Sequence, residues 1–303
     1  MATVKAAGGA TWEMGPPAMD VSGVPRKFLD VPYSVKSDRH KLDIYLPDEG
    51  VGPFPAVVFF HGGAFVGGDK RDMQIAVIID CLNRGFAAVS VEYRLSPEAV
   101  FPQAVNDCRA AIKFLKATAP TYMLDPRRFA VSGTSAGAYL ALFCAATGDV
   151  PFFDDAELDF DFVAEAGVTA SAAAAIGFFG LYALPEASLY SKALPNESGQ
   201  PGGWDFTADF FGAPPEKYPF LAEFADVSKW VTDKMPQTLL QAGTADVVVP
   251  YSDSVMLASA IAEKAGADRV RLDTLEGAEH GDQRYYESAE NQERIFAFLK
   301  KYL

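Results

Sequence analysis

Two patterns of apolar and polar residues recur along the chain. One is a continuous apolar run that ends in glycines, as in FPAVVFFHGG at 54–63, and it is typical of a strand buried on both faces. The other places apolar residues every three or four positions, as in PQAVNDCRAAIKFLKATA at 102–119, and it predicts an amphipathic helix. By these criteria the strands are 40–47, 54–63, 86–95, 128–133, 172–182, 236–246 and 270–277. The helices are 72–84, 102–119, 135–148, 252–266 and 292–303.

This alternation of strands and helices predicts an α/β fold with a mostly parallel sheet covered on both faces. Chemistry in such sheets lies at the carboxyl ends of the strands. We interpret 1–303 as one domain.

Residues 182–232 do not follow this alternation of strands and helices. They are rich in proline, glycine and aromatic residues and too long for a plain connection. They predict a small cap-like insertion over the active site. Phe65, Trp204, Phe210 and Phe211 are candidates to line a substrate pocket, although such rings also suit the anchoring of an insertion.

Composition excludes several classes of partner. The 303 residues carry a net charge of −14, which repels nucleic acid. No apolar run approaches the ~20 residues of a membrane span. The first residues lack the apolar core of a secretory signal, so we expect a cytoplasmic protein, or a secreted one if a signal has been removed. The oligomeric state stays open, with a homodimer among the options.

Two further features have a plain interpretation. The acidic segment 152–162 is expected to be a solvated loop, and a Ca²⁺ site is the weaker alternative because the EF-hand spacing is absent. The three cysteines, Cys81, Cys108 and Cys144, form no CxxC pair. They predict small buried apolar side chains, without a disulfide framework or a zinc site.

The segment GTSAG at 133–137 carries the first chemical signal. It matches Gly-x-Ser-x-Gly and lies between a predicted strand and a predicted helix, the context that this motif requires. A serine hydroxyl needs a base before it can act as a nucleophile. Ser135 is therefore the candidate nucleophile, and a histidine should be found nearby.

The sequence offers three histidines, namely His40, His61 and His280. His40 begins an early predicted strand, and we expect it at the surface. His61 lies in HGGAF, where it is expected to shape a glycine-rich loop. His280 follows the last predicted strand, at the same sheet edge as Ser135, and is the candidate base.

An acid should orient this histidine and lie between Ser135 and His280 in chain order. Asp246 directly follows a predicted strand and is our choice. Asp253 and Asp226 are the alternatives, the first in the next helix and the second in the insertion.

An oxyanion needs preorganised N–H donors. The loop HGGAFVGGDK follows a buried strand, so the amides of Gly63 and Ala64 are candidate donors, together with that of Ala136 after the nucleophile. A glycine-rich loop can also bind phosphate, but the Gly-Lys-Ser/Thr pattern of a phosphate loop is missing.

The motifs HGGAF, GTSAG, GTADVVVPY and GAEHGD, in this order, resemble those of α/β-hydrolases. They are most similar to hormone-sensitive-lipase-like esterases and to the bacterial feruloyl/acetyl-xylan esterase (BD-FAE-like) group, over about residues 30–303. Ala64 and Thr134 depart from the HGGG and Asp-Ser patterns of the lipase-like enzymes. The resemblance implies an eight-stranded sheet, a triad of Ser135, Asp246 and His280, and ester hydrolysis through an acyl-enzyme with no cofactor.

The implied substrates are short-chain or aryl carboxylic esters, such as acetyl or feruloyl esters of plant carbohydrates. Two rival functions remain at this stage. A formamidase of the kynurenine formamidase type shares the HGG loop and the serine turn, and a non-catalytic hydrolase-fold protein would bind a ligand without reaction.

Overall fold

The computed structural model describes residues 2–5, 11–14, 17–193 and 205–303. Its strands are β1 (Ala2–Lys5), β2 (Thr11–Met14), β3 (Lys27–Pro32), β4 (Lys41–Tyr45), β5 (Phe54–Phe60), β6 (Ala87–Val91), β7 (Leu124–Thr134), β8 (Ala174–Phe178), β9 (Gln237–Gly243) and β10 (Val270–Leu275). Its α-helices are α1 (Ala76–Ile79), α2 (Gln103–Ala117), α3 (Ala136–Thr147), α4 (Asp161–Glu165), α5 (Leu184–Ala193), α6 (Phe206–Phe211), α7 (Pro219–Phe224), α8 (Val227–Trp230), α9 (Tyr251–Lys264), α10 (Gln283–Tyr286) and α11 (Ala289–Tyr302).

Eight strands form one sheet in the order β10-β9-β8-β7-β5-β6-β4-β3, and β1 and β2 form a separate antiparallel pair. Strands β5 to β10 run parallel, whereas β4 is antiparallel to both β3 and β6. The predicted mostly parallel, eight-stranded sheet is confirmed. Because β5 and β7 are neighbours, the loops that follow them meet at one edge of the sheet.

The sheet is buried on both faces, as the continuous apolar runs predict. All seven residues of β5 are buried. Ala56, Val58 and Phe60 join the apolar layer that includes α2 and α3, while Val57 and Phe59 join the layer that includes α1 and α11. The period of two along a strand thus divides one apolar run between two cores.

Most predicted elements are confirmed, and the eight-stranded sheet and the predicted helices show two differences; the separate pair β1 and β2 was not predicted either. The predicted helix at 72–84 is broken into a 3₁₀ turn (Met73–Ile75), the single α-helical turn α1, and a second 3₁₀ turn (Asp80–Arg84). Strand β3 was not predicted. A bulge between Phe28 and Val31 interrupts its register with β4, so its apolar residues do not follow a clean alternation.

The acidic segment 152–162 is only partly the solvated loop that was predicted. Phe153 is buried, Asp154 pairs with Arg109 at 2.7 Å, and Asp159 pairs with Lys113. These partners lie on α2, so the carboxylates fasten the segment to the core. The three cysteines are free and buried, as expected.

The described part of the 182–232 segment contains α5 to α8. Phe101 N donates to Phe210 O at 2.7 Å, and Val227 N donates to Tyr182 O at 3.1 Å. The first bond ties the short helices to the main domain, and the second closes the segment on its own first residue. Within the described residues, no helix combines the length and the apolar character needed to cross a bilayer.

Candidate active site

Ser135 stands at a strained corner between β7 and α3. Its backbone has φ 50° and ψ −119°, a conformation that L-residues rarely adopt. Ser135 N donates to Phe178 O at 2.9 Å, which ties the corner to the end of β8. The strand, turn and helix that the motif requires are therefore present, and the hydroxyl lies at the carboxyl edge of the sheet.

The two glycines of the corner permit backbone atoms to approach one another. A Cβ on Gly137 would lie 2.0 Å from Phe60 O, and a Cβ on Gly133 would lie 2.2 Å from Gly137 O. Alanine at either position would push α3 away from β5. The glycines thus set the depth at which the serine-bearing helix packs on the sheet.

His280 lies within hydrogen-bond distance of both Ser135 and Asp246. His280 Nε2 is 3.0 Å from Ser135 Oγ, and His280 Nδ1 is 2.8 Å from Asp246 Oδ2. A proton on Nδ1 donates to the carboxylate and leaves Nε2 free to accept the serine proton. The structure thus brings together the three residues that the sequence selected.

The two alternative acids are engaged elsewhere. Asp253 Oδ1 accepts a hydrogen bond from Tyr182 N at 3.1 Å, and Asp226 Oδ1 accepts from Ser228 N at 2.8 Å. Among the described residues, the carboxylate hydrogen-bonded to His280 is that of Asp246.

Phe179 supports His280 from the side. The two rings meet edge to face with their centres 4.9 Å apart, and the Phe179 ring also contacts Tyr286 at 4.6 Å. Phe179 has φ 39°, so backbone strain at the end of β8 directs this ring towards the histidine. Sequence reasoning missed Phe179 because it lies inside the predicted strand 172–182, whereas β8 ends at Phe178.

The candidate oxyanion loop has an unusual backbone. Gly63, Ala64 and Phe65 have consecutive positive φ angles of 126°, 52° and 66°. Among the described residues, the amides of Gly63 and Ala64 have no hydrogen-bond acceptor. The amide of Ala136 belongs to the first turn of α3, where no carbonyl lies four residues back. All three amides remain candidates for binding an anionic oxygen.

His61 is fully buried beneath this loop, in agreement with its expected shaping role. Its ring stacks on Tyr93 with centres 4.4 Å apart, and Nδ1 lies 2.9 Å from Gly62 O. Burial lowers the pKa of His61, but the carboxylate of Glu92, 3.7 Å from Nε2, outweighs this and makes the net shift upward. The ring is held by the protein interior and does not contact the serine hydroxyl.

The expected surface position of His40 is wrong. Its side chain is fully buried, with Nε2 3.2 Å from Asp107 Oδ1, and Arg94 also pairs with Asp107 at 2.7 Å. The surface position was expected because His40 begins an early predicted strand. Its partner Asp107 lies on α2, and Arg94 follows β6, so neither contact is visible in the local sequence.

Three of the candidate pocket residues, Phe65, Phe210 and Phe211, are buried in the fold. Phe65 and Phe210 are 1% and 0% exposed, and their rings stack with centres 3.8 Å apart. Phe211 is also buried and meets Phe101 edge to face at 5.9 Å. These rings anchor the insertion to the core, and their role in a substrate pocket stays a prediction. Trp204 lies outside the described residues.

Gln74 is a second residue that sequence reasoning missed. Its Oε1 accepts from Gly62 N at 2.8 Å and from Thr134 Oγ1 at 2.5 Å, while its Nε2 donates to Asp72 Oδ2 at 2.8 Å. Thr134, which departs from the lipase-like pattern, thus has a definite partner. Burial raises the pKa of Asp72.

In the parts of the chain that the structure describes, no group of three His, Cys, Asp or Glu side chains is placed to hold a metal ion.

A comparison with protein families identifies the group to which this site belongs. The model of the BD-FAE family matches residues 42–261. The chain belongs to the BD-FAE family. The matched region includes Ser135 and Asp246, and His280 lies beyond it.

Curated relatives of this BD-FAE chain are named as esterases. Esterase LipC of Mycobacterium tuberculosis is 26% identical over 243 residues, which cover 79% of this chain and 56% of LipC. Esterase LipQ of the same organism is 27% identical over 257 residues, which cover 83% of this chain and 56% of LipQ. The chain thus spans about half the length of these relatives.

Solved structures share the fold of this BD-FAE chain. A truncated carbohydrate esterase from gut microbiota superposes with a TM-score of 0.76 at 24% identity, covering 95% of this chain and 98% of that one. Esterase 2 of Thermogutta terrifontis with bound propionate gives 0.67 at 23% identity, covering 93% and 96%. The predicted α/β-hydrolase fold is confirmed.

Proposed function

We propose that this BD-FAE chain is a serine carboxylesterase. The observation that carries the proposal is the continuous contact from Asp246 through His280 to Ser135, with 2.8 and 3.0 Å between the bonding atoms. The strained backbone of Ser135 adds support, because strain at a nucleophile is expected where the hydroxyl must stand clear of its own helix.

In the proposed reaction, His280 Nε2 takes the proton of Ser135 Oγ as this oxygen attacks the ester carbonyl carbon. The resulting imidazolium is stabilised by Asp246 and gives its proton to the departing alcohol oxygen. Water, deprotonated by His280, then attacks the acyl-enzyme. The carboxylic acid leaves, and the proton returns to Ser135.

The negative oxygen of the tetrahedral intermediate would bind to the amides of Gly63, Ala64 and Ala136. Two observations support this assignment. The first two amides have no acceptor within the described chain, and the third opens a helix whose dipole favours negative charge. No metal or cofactor is needed for these steps.

We propose short-chain or aryl carboxylic esters as substrates, including acetyl and feruloyl esters of plant carbohydrates. Family membership supports this class, whereas the buried rings of Phe65, Phe210 and Phe211 do not. We also propose that residues 1–303 form one domain, in which the insertion at 182–232 lies close to the substrate.

A panel of p-nitrophenyl esters of increasing acyl length, with aryl and acetylated sugars, tests this function. Ser135→Ala should lower kcat by at least about 10⁴-fold, because no other group replaces the nucleophile. A fluorophosphonate should label the wild type at Ser135, as shown by mass spectrometry of the peptide. Ser252→Ala is the matched control, since it removes an exposed hydroxyl and should change neither result.

Other outcomes would contradict the proposal. Full esterase activity in Ser135→Ala would exclude this serine as nucleophile. Turnover of N-formyl anilides in preference to every ester would assign the site to a formamidase, and a wild type that neither reacts nor becomes labelled would indicate a binding protein.

A further inference from the structure

Gln74 joins the two segments that carry the proposed chemistry. Its single carbonyl oxygen, Oε1, accepts one hydrogen bond from Gly62 N and one from Thr134 Oγ1. Gly62 directly precedes the candidate oxyanion donors Gly63 and Ala64, and Thr134 directly precedes Ser135. One oxygen atom therefore fixes the separation between the oxyanion loop and the nucleophile.

The amide of Gln74 is itself held in one orientation. Its Nε2 donates to Asp72 Oδ2 at 2.8 Å, and its backbone N donates to Asp72 Oδ1 at 2.9 Å. Asp72 is buried, so its carboxylate has a fixed position. Only the carbonyl oxygen can accept from Gly62 N, and only the NH₂ group can donate to Asp72, so both ends of the amide are satisfied in a single orientation.

The fit around this oxygen is tight. A Cβ added to Gly62 would lie 2.7 Å from Gln74 Oε1, 2.9 Å from Thr134 O and 3.2 Å from Ser135 Cβ. The loop backbone therefore packs directly against both the glutamine and the serine corner. Little free space is left to absorb a displacement of the loop.

We propose that Gln74 is a positioning residue for the esterase reaction, holding the oxyanion donors in register with Ser135. The inference rests on the proposed function. Among the described residues, the side-chain hydrogen bonds of Gln74 go to Gly62, Thr134 and Asp72 and not to His280 or Asp246, so its loss should leave the proton relay in place. Its effect should appear where charge develops on the carbonyl oxygen, in kcat more than in KM.

The principal test compares Gln74→Leu with the wild type on p-nitrophenyl acetate. Leucine fills a similar volume but accepts no hydrogen bond, so the loop can shift relative to the serine. We expect kcat to fall about 10–100-fold, since a displacement of ~1 Å at a reacting centre has an effect of this size. KM should stay within about threefold.

Inhibition by an aryl boronic acid is a second measurement, and a purely structural role of Gln74 would leave its inhibition constant unchanged. The boronic acid forms a tetrahedral adduct with a serine hydroxyl and places an oxygen among the oxyanion donors. Its inhibition constant should rise in Gln74→Leu by a factor similar to the fall in kcat/KM. Thr134→Val removes one of the two donors to Oε1 and should give a smaller change of the same kind.

Gln292→Leu is the matched control. Gln292 Nε2 donates to Val77 O at 3.3 Å, so this glutamine also joins two segments, but far from Ser135 in the layer of α1 and α11. The control should leave kcat and boronate inhibition within twofold of the wild type.

A rescue variant tests the hydrogen-bond geometry directly. Gln74→Glu combined with Asp72→Asn keeps an acceptor for Gly62 N and Thr134 Oγ1 and reverses the donor and acceptor between positions 72 and 74. The kcat of this double variant should exceed that of Gln74→Leu by about tenfold.

The outcomes separate this inference from the function on which it rests. An active wild type whose Gln74→Leu variant keeps kcat and boronate inhibition within twofold would overturn the role of Gln74 alone. Equal losses of activity in Gln74→Leu and Gln292→Leu would also overturn it. A wild type that neither hydrolyses esters nor reacts with a fluorophosphonate would overturn the proposed function and this inference together.

Discussion

Asp246 divides its carboxylate between the backbone and the histidine. Oδ1 accepts hydrogen bonds from the amides of Val248 and Val249, both at 2.8 Å, and Oδ2 faces His280 Nδ1. The side chain is 2% exposed. Because Oδ1 is fixed by a local turn, Oδ2 is presented to the imidazole without a loss of rotamer entropy on each catalytic cycle.

Asp246→Asn should lower kcat by roughly 10³–10⁴-fold with little change in fold. The asparagine oxygen can still accept from the two backbone amides, which leaves an NH₂ group facing Nδ1 and favours the wrong imidazole tautomer. Steady-state kinetics on p-nitrophenyl acetate measure the effect.

Asp226→Asn is the control for this prediction, because asparagine caps α8 as well as aspartate does. It should retain kcat within about twofold. A large loss in Asp226→Asn, or none in Asp246→Asn, would contradict the assignment of the acid.

Single residues were predictable from sequence where a local motif constrains them. Ser135 follows from the glycine-flanked turn, and His280 from the small number of histidines and the place of its loop. The burial of His40 and the role of Gln74 depend on partners from other elements, 67 and 60 positions away at Asp107 and Thr134. No local pattern encodes such contacts.

At the level of elements, the serine corner depends on the close approach of α3 to β5. Gly137 is the second residue of α3, and its Cα faces the carbonyls of Phe60 and His61. Helix propensity alone favours alanine over glycine by about 1 kcal/mol. The backbone clash at 2.0 Å opposes this preference.

Gly137→Ala should therefore lower the free energy of unfolding by about 3 kcal/mol, because overpacking against an immobile carbonyl outweighs the helix propensity. Urea denaturation followed by circular dichroism measures the change. Gly23→Ala is the control, since a Cβ there meets nothing within 4 Å. A Gly137→Ala protein as stable as this control would show that α3 can move without cost.

Elements with a long, continuous apolar pattern were the ones that sequence located well. The predicted helix at 102–119 corresponds to α2, and the predicted strand at 54–63 contains β5. The broken helix after Asp72 and the bulged strand β3 were not recovered. Short turns and bulges are set by tertiary contacts, and hydrophobic periodicity does not register them.

At the scale of the whole molecule, the acidic chain keeps several carboxylates charged inside its fold. Asp107 is fully buried but pairs with Arg94 and lies beside His40. Burial raises the pKa of Asp107, yet the side-chain hydrogen bonds from His40 and Arg94 outweigh it and hold the pKa below the ordinary value of 3.8. Glu92 behaves similarly, since burial raises its pKa while His61, the amide of Lys70 and Arg39 bring it below the ordinary value.

Asp107 should contribute to stability in a pH-dependent way. A carboxyl group whose folded pKa is depressed stabilises the fold fully above its unfolded pKa, and this contribution is lost as the pH falls through the folded value. Asp107→Asn should therefore lower the free energy of unfolding by about 3–5 kcal/mol at pH 5.5, because it leaves Arg94 without its buried partner. At pH 3, below the ordinary pKa of 3.8, the difference in unfolding free energy from the wild type should be smaller.

Urea titrations at the two pH values measure this difference. Asp38→Asn is the control, because it removes an equal but exposed charge and should cost little at either pH. A difference that stays constant or grows on acidification would mean that Asp107 is already neutral in the fold, and that Arg94 is stabilised by the neutral acid.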